Sequence, residues 1–400
     1  MDFTIDKEAA ERLARVRQLG ATHIRPLGIE ADRLGRPVPP DHDYFKLLLK
    51  AGLGRTRWLP PEVAAKQAPA EKRSGPGNAR AMIHVAEEQA YWDRGVATAT
   101  PGPGMSEPTI LSMGTEDQKR RFLGPFVEPE KPRWGAFAMT EPGAGSDVAA
   151  IQSTCVRDGA HWILNGEKSF SGNASRADWI LVWATVDASQ GRAGHRAFVL
   201  EKGTPGLGNF KIEKKMGIKG YESTSFTMQD CRVPAENLLG GEAQYAARAG
   251  FKGAMKTFNA IRPSIAANAI GIGRAALDEA LAFAREHDRL HDVRVRDRLE
   301  RITRKLRMAR LLCLKAVWLA DHERPNQLEA SMCKALAPAV AYEAASLGME
   351  LLGAVGGRGD HLIEKLFRDV KAMDIVEGTG QIQRIVMARQ LVNLPNERGA

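Results

Sequence analysis

The spacing of apolar residues changes period twice along this chain, and that limits its possible folds more than any single motif does. Up to about residue 133 the apolar positions recur at helical spacing, in runs such as DKEAAERLARVRQLGATHI, DYFKLLLKAGLG, ARAMIHVAEEQAYWDRG and TEDQKRRFLGPF. Asp6 and Thr115 stand where helix caps belong, and glycine or proline closes the runs. From Trp134 the pattern becomes short, β-branched and aromatic: HWILNG, WILVWATV, HRAFVLEK and STSFTMQDCRVP, separated by Gly, Asn, Asp and Pro. No long helical pattern interrupts these segments, which argues against a βαβ array. From Ala243 helical spacing returns in four long stretches, the third carrying Pro338 as an expected kink and the last holding QIQRIVMARQLV. The reading is a multi-domain α and β chain: a helical domain over 1–133, a small all-β domain over 134–242 and a four-helix bundle over 243–400. A chain of 400 residues is long enough for more than one core.

The composition is that of a globular protein, 44% hydrophobic and 26% charged. The net charge of +9 suits a phosphate-bearing ligand. The basic residues are dispersed among acids, which argues against a nucleic-acid surface. The densest clusters, KKMGIKG (214–220) and RVRDRLERITRKLR (294–307), read as a solvated loop and a solvated helix face. Cys155, Cys231, Cys313 and Cys333 form no CxxC pair and fit no zinc spacing, so buried thiols in a reducing compartment are expected. There is no signal-peptide core at the N-terminus and no apolar run of about 20 residues. A cytoplasmic protein without a membrane span is expected. GxSxG, P-loop and HExxH motifs are absent, and His84, His161, His195 and His291 show no ligand spacing.

Three stretches carry chemistry. In AMTEPGAGSD (138–147), Gly143 and Gly145 permit close backbone approach, while Thr140 and Ser146 offer hydroxyls. Such a loop suits an anionic or heteroaromatic cofactor; by itself it equally fits a plain Pro/Gly turn. NGEKSFSGNASRADWILVWAT (165–185) reads as a hairpin turning at Asn165-Gly166, with Phe170 either a core aromatic or a wall for a planar ligand. In DIVEGTGQIQRIVMARQLV (374–392), Glu377 is a carboxylate in a run that otherwise reads as buried, where it is costly without a partner. It is either a functional acid or a helix cap.

Taken in order, AMTEPGAGSD, NGEKSFSGNAS, KMGIKGYESTSFTMQDCRVPAENLLG, FNAIRPSIAANAIGIGRAALDEA and VEGTGQIQRIVMAR resemble the successive motifs of acyl-CoA dehydrogenases, over essentially the whole chain. The resemblance implies a helical domain, a β-barrel and a four-helix bundle, with FAD bound non-covalently at the junction of barrel and bundle. It places the flavin against Phe137, Met139, Thr140, Gly145 and Ser146, against Phe170, Ser171 and Gly172, and against Thr379 and Gln381. It places the thioester and CoA near Ser146, Asn259, Arg262, Gly378 and Arg389. Glu377 matches the catalytic base that removes the α-proton while the β-hydride passes to flavin N5, giving a trans-2-enoyl-CoA. Reduced FAD then passes electrons to an electron-transfer flavoprotein. Some members carry the base just before the arginine of IRP; here that position is Ile261. An oxidase, an enzyme of a non-CoA substrate and a poorly flavinated subunit of a heteromer are the alternatives.

Three positions depart from the family pattern. Gly172 stands where a Thr or Ser often bonds the N5 edge of the flavin. The RxxFG segment that reaches the FAD of a neighbouring subunit is replaced by HDRLH (287–291), followed by Arg298. In ELLGAVGG (350–357), Glu350 replaces a glutamine and Ala354 a glycine; with Gly353 these face the FAD pyrophosphate in the family pattern. A carboxylate there is repulsive unless a cation such as Arg298 pairs with it. A homo-oligomer, tetramer or dimer, is expected, and a heteromer is the alternative. The stretch ATATPGPGMSEP (97–108) and the small Val376 are compatible with a branched or bulky acyl group.

Overall fold

The computed structural model describes residues 5, 7–64, 78–246 and 250–392, and it folds as a helical region, a curled sheet and a second helical region. Asp6, the expected first cap, lies outside the described residues. Helix α1 (Lys7–Leu19) continues through one π turn at Gly20–Ile24 into α2 (Arg25–Leu34). Then come α3 (Asp43–Lys50), α4 (Pro61–Ala64), α5 (Asn78–Thr98), α6 (Glu107–Met113) and α7 (Glu116–Leu123). Thr115 caps α7 as its sequence suggests. Its Oγ1 accepts from Gln118 N at 3.2 Å while Gln118 Oε1 accepts from Thr115 N at 3.1 Å.

The strands are β1 (Gly135–Ala138), β2 (Thr154–Asp158), β3 (His161–Gly172), β4 (Trp179–Thr185), β5 (His195–Glu201), β6 (Leu207–Ile212) and β7 (Ser223–Pro234). They form one seven-stranded sheet in the order β1-β4-β2-β3-β7-β6, with β5 on β4. β4 is buried along its whole length, as its unbroken apolar run WILVWAT requires.

One expectation fails here. Asn165-Gly166 is not a hairpin turn but lies inside β3, which runs unbroken to Gly172. Gly166 takes φ 143° at a bulge in the pairing with β7, and a Cβ there would sit 2.3 Å from Ser153 Oγ. The dipeptide that reads as a turn is used instead for a bulge with close backbone approach. The true turn is Gly159-Ala160, between the paired Asp158 and His161.

Helix α8 (Gly241–Ala246) leads into the second helical region: α9 (Gly250–Glu286), α10 (Val293–Asp321), α11 (Gln327–Leu352), α12 (Leu362–Ile375) and α13 (Gly380–Leu391). Helix α12 is additional to the four read from periodicity. Small residues let the helices approach. A Cβ on Gly273 of α9 would lie 2.9 Å from Ala341 Cα of α11, and one on Gly271 would lie 2.1 Å from Glu87 O of α5. The second contact clamps the N-terminal region onto the bundle. All four cysteines are buried and free. Among the described residues no helix is long and apolar enough to cross a membrane, and no cluster of side chains fits a metal ion.

Candidate active site

Glu377 lies in the short link between α12 and α13, in the left-handed region at φ 58°, followed by Gly378 at φ 92°. A non-glycine residue there stores strain, a feature that concentrates at functional sites. The helix-cap alternative does not hold: the cap of α13 is Thr379, whose Oγ1 accepts from Ile382 N at 3.3 Å. The link is pinned from α11 by Lys334, a fully buried lysine whose Nζ donates to Met373 O at 2.8 Å and to Gly378 O at 3.2 Å. Gln383 Nε2 donates to the same Gly378 O at 3.1 Å. The glutamate therefore projects from a braced turn and not from a mobile end.

Burial pushes the Glu377 carboxyl up to about 7, against the opposing pull of Lys334, Arg94 and Arg262. A carboxylate with that affinity accepts a proton at neutral pH far better than an exposed one. Burial brings Lys334 down to about 8, with Asp374 and Glu377 working in the opposite sense. Arg262 approaches from α9, its Nη1 3.4 Å from Ser331 Oγ. Replacing Lys334 with methionine removes the foremost of the charges that lower the Glu377 pKa. The acid limb of the pH profile of kcat/KM is then expected to move to higher pH. An unmoved limb would show that Lys334 acts only as a brace.

The second set of residues lies along the sheet. The 138–147 loop is fixed through Glu141, whose Oε1 accepts from the fully buried Lys168 Nζ at 2.6 Å and from Ser153 N at 3.0 Å, and whose Oε2 accepts from Gln152 N at 2.6 Å. Ser169 N donates to Thr140 O at 2.9 Å, tying the loop to β3. A Cβ on Gly143 or Gly145 would meet nothing within 4 Å, so the loop backbone borders open space. Phe137 and Thr140 are half-buried, Met139 is buried, and Ser146 is exposed. Phe170 takes φ 56° at the second bulge of β3 and leaves 66% of its surface exposed. Gly172 shares its side of the strand. Ser171 is buried, opposite Thr224, and its Oγ has no hydrogen-bond partner among the described residues. A Cβ on Gly172 would lie 3.3 Å from Tyr221 Cε2. Tyr221 is also within electrostatic reach of Arg94 and Glu377, so its ring joins the sheet side to the base.

The remaining expected residues are spread farther. Gln381 and Arg389 are exposed on α13, roughly 12 Å apart along the helix. Asn259 belongs to the part of α9 whose side chains lie outside the described residues. Glu350 sits at the end of α11, about 24 Å along the helix from Lys334, with Gly353 and Ala354 just beyond. It does not stand as a bare carboxylate: Arg298 Nη1 and Nη2 each donate to it at 2.5 Å.

Comparison with known proteins decides the family. Residues 136–231 match the acyl-CoA dehydrogenase middle domain and residues 248–392 the acyl-CoA dehydrogenase C-terminal domain. The acryloyl-CoA reductase (NADH) of Anaerotignum propionicum is 32% identical, over 98% of this chain and 96% of that one. This chain is an acyl-CoA dehydrogenase family member. Butyryl-CoA dehydrogenase from Megasphaera elsdenii superposes with a TM-score of 0.86 at 30% identity, over 98% of this chain and 100% of that one. A chain from a study of the electron transferring flavoprotein of Acidaminococcus fermentans gives 0.83 at 31% identity, over 98% and 100%. Acyl-CoA dehydrogenases are flavin-dependent oxidoreductases of CH–CH bonds, and the cofactor is FAD. The residues fit that group: an exposed aromatic and a loop backbone facing open space leave room for a planar ring, and the buried Ser171 Oγ, next to that aromatic in β3, is unpartnered among the described residues.

Sequence reasoning did not single out Arg94, Lys334, Tyr221, Glu141 or Lys168. The one available signal was a lone cation within an apolar run, as in SMCKALAPAVA around Lys334.

Proposed function

We propose that this chain catalyses α,β-dehydrogenation of an acyl-CoA thioester to a trans-2-enoyl-CoA, with Glu377 as the acceptor of the α-proton. The observation that carries the reading is the braced, left-handed placement of a half-buried carboxyl whose pKa desolvation raises to about 7. FAD, when bound, supplies the hydride acceptor. Phe137, Met139, Thr140, Gly145, Ser146, Phe170 and Gly172 are positioned to hold it from the sheet, and Thr379 and Gln381 from α13. Ser171, whose buried Oγ has no hydrogen-bond partner among the described residues, is assigned to that group with them. Glu377 takes the proton, and its backbone N–H is available to the thioester oxygen. Arg262, Gly378, Ser146 and Arg389 are assigned to the thioester and CoA, a phosphate-bearing ligand that suits the +9 net charge. The similarity to a chain studied with an electron transferring flavoprotein supports such a protein as electron acceptor.

We also infer a homo-oligomer in which each chain holds FAD. The Arg298–Glu350 pair removes the repulsive carboxylate from the position where a neighbour's cofactor is expected, which argues against a flavin-poor subunit. The test is anaerobic titration of the purified protein with a panel of acyl-CoA thioesters, following flavin absorbance. One FAD per chain and bleaching by at least one thioester are expected. Full FAD with no bleaching by any of them would refute the dehydrogenase reading.

A further inference from the structure

Arg94 is a cation acting on Glu377 that the mechanism above leaves unused. It follows Asp93, where α5 breaks with φ −167° and ψ 117°. The break is held in place: Asp93 Oδ1 accepts from Val96 N at 2.8 Å and Oδ2 from Lys365 Nζ at 2.5 Å. Gly95 then packs tightly on the segment before Tyr221; a Cβ there would lie 2.9 Å from Gly220 N and 3.1 Å from Ile218 C. Arg94 therefore follows the break within electrostatic reach of both Tyr221 and Glu377.

What Arg94 lacks is an acceptor. Its Nε is shut off from solvent and makes no hydrogen bond. The nearest carboxylate in sequence, Asp93, has given its oxygens to Val96 and Lys365, and among the described residues no ion pair joins Arg94 to Glu377. Glu377 already faces Lys334 and Arg262, so a third cation is not needed to hold its charge. A guanidinium carries five donors, and shutting even one of them off from water without an acceptor is costly. The group it matches best is a carboxylate, which its planar fork binds through two parallel hydrogen bonds.

We propose that Arg94 binds a carboxylate carried by the acyl group, so that this site takes the CoA thioester of a short dicarboxylic acid. The inference rests on the dehydrogenase reading above. The arrangement also makes catalysis conditional. Arg94 weakens Glu377 as a base until the acyl carboxylate neutralises it, so the base gains strength only with an acidic acyl group in place.

Paired substrates of equal chain length test this: succinyl- against butyryl-CoA, glutaryl- against pentanoyl-CoA and adipyl- against hexanoyl-CoA. Each is assayed for anaerobic flavin bleaching with the native protein, Arg94→Met and Arg94→Lys, and for calorimetric binding to Glu377→Gln. In the native protein at least one dicarboxylic thioester is expected to exceed its partner in kcat/KM by tenfold or more. It should also bind Glu377→Gln more tightly than its partner. Arg94→Met should collapse the ratio and Arg94→Lys restore part of it; the ratio is internal to each variant and insensitive to partial loss of folded protein. A native preference for the monocarboxylic partners would overturn the proposal and leave the dehydrogenase reading intact. So would an equal loss on both members of each pair in Arg94→Met, which would assign Arg94 to the shared thioester. Failure of every thioester to bind or bleach would overturn both.

Discussion

Glu377→Gln is expected to lower kcat by roughly 100- to 10,000-fold, the usual worth of a positioned general base, while FAD content stays at the native level. The amide keeps the size of the side chain and cannot accept the α-proton. The same substitution should raise stability, with a sign set by linkage. The folded carboxyl titrates at about 7, whereas the ordinary value is 4.5. Between those values the folded chain holds a proton that the unfolded chain has released, so native stability falls as pH rises across the window. A shift of that size corresponds to up to about 3 kcal/mol. Glu377→Gln has no such proton. It should match the native protein near pH 4 and exceed it by that amount at pH 8, as measured by urea unfolding. Native-protein activity should rise through the same window as the base is freed. A variant that loses activity without a pH-dependent gain in stability would mean that Glu377 is not held protonated by burial.

The parts of this molecule visible in the sequence are those that follow the solvent boundary. The change of period at Trp134 and its reversal at Ala243 announce the sheet between two helical regions, because one-sided burial imposes 3.6- and 2-residue repeats. Glu377 was legible for the opposite reason, as an acid in an apolar setting. What stayed hidden are charges that the fold buries. Helix α12 was not separated from its surroundings because Lys365 and Asp369, which read as a polar face, are 5% and 1% exposed. Lys334 and Lys168 are likewise inside, each satisfied by partners distant in sequence. Arg94 lies in the run ARAMIHVAEEQAYWDRG without any mark that sets it apart, and only the fold brings its charge to bear on the base. Asn165-Gly166 misled in a simpler way, since φ above zero serves a bulge as well as a turn.

Lys365→Met tests one of these buried groups and should cost about 3–5 kcal/mol at neutral pH, the usual result of removing one partner from a buried ion pair. Lys365 Nζ binds Asp369 of its own helix and Asp93 of α5, so a single ammonium joins the bundle to the N-terminal region. Asp369 Oδ1 also accepts from Ile218 N at 2.5 Å, which brings the segment before Tyr221 into the same network. Burial drives the Asp369 carboxyl up, with Lys365 opposing, while the two carboxylates hold Lys365 above its ordinary value despite burial. Without the ammonium, burial and the facing Asp93 raise the Asp369 carboxyl unopposed. In the variant Asp369 then stands further above its unfolded pKa, so stability is lost as pH rises and partly regained on acidification. Urea midpoints at pH 5 and pH 8 should therefore differ more in Lys365→Met than in the native protein, with the variant weaker at pH 8. Loss of Asp93 anchoring also frees the break in α5, so any selectivity contributed by Arg94 should fall with it. A variant within 1 kcal/mol of native at both pH values would show that the two carboxylates find water or other donors, and that the junction beside the base does not depend on Lys365.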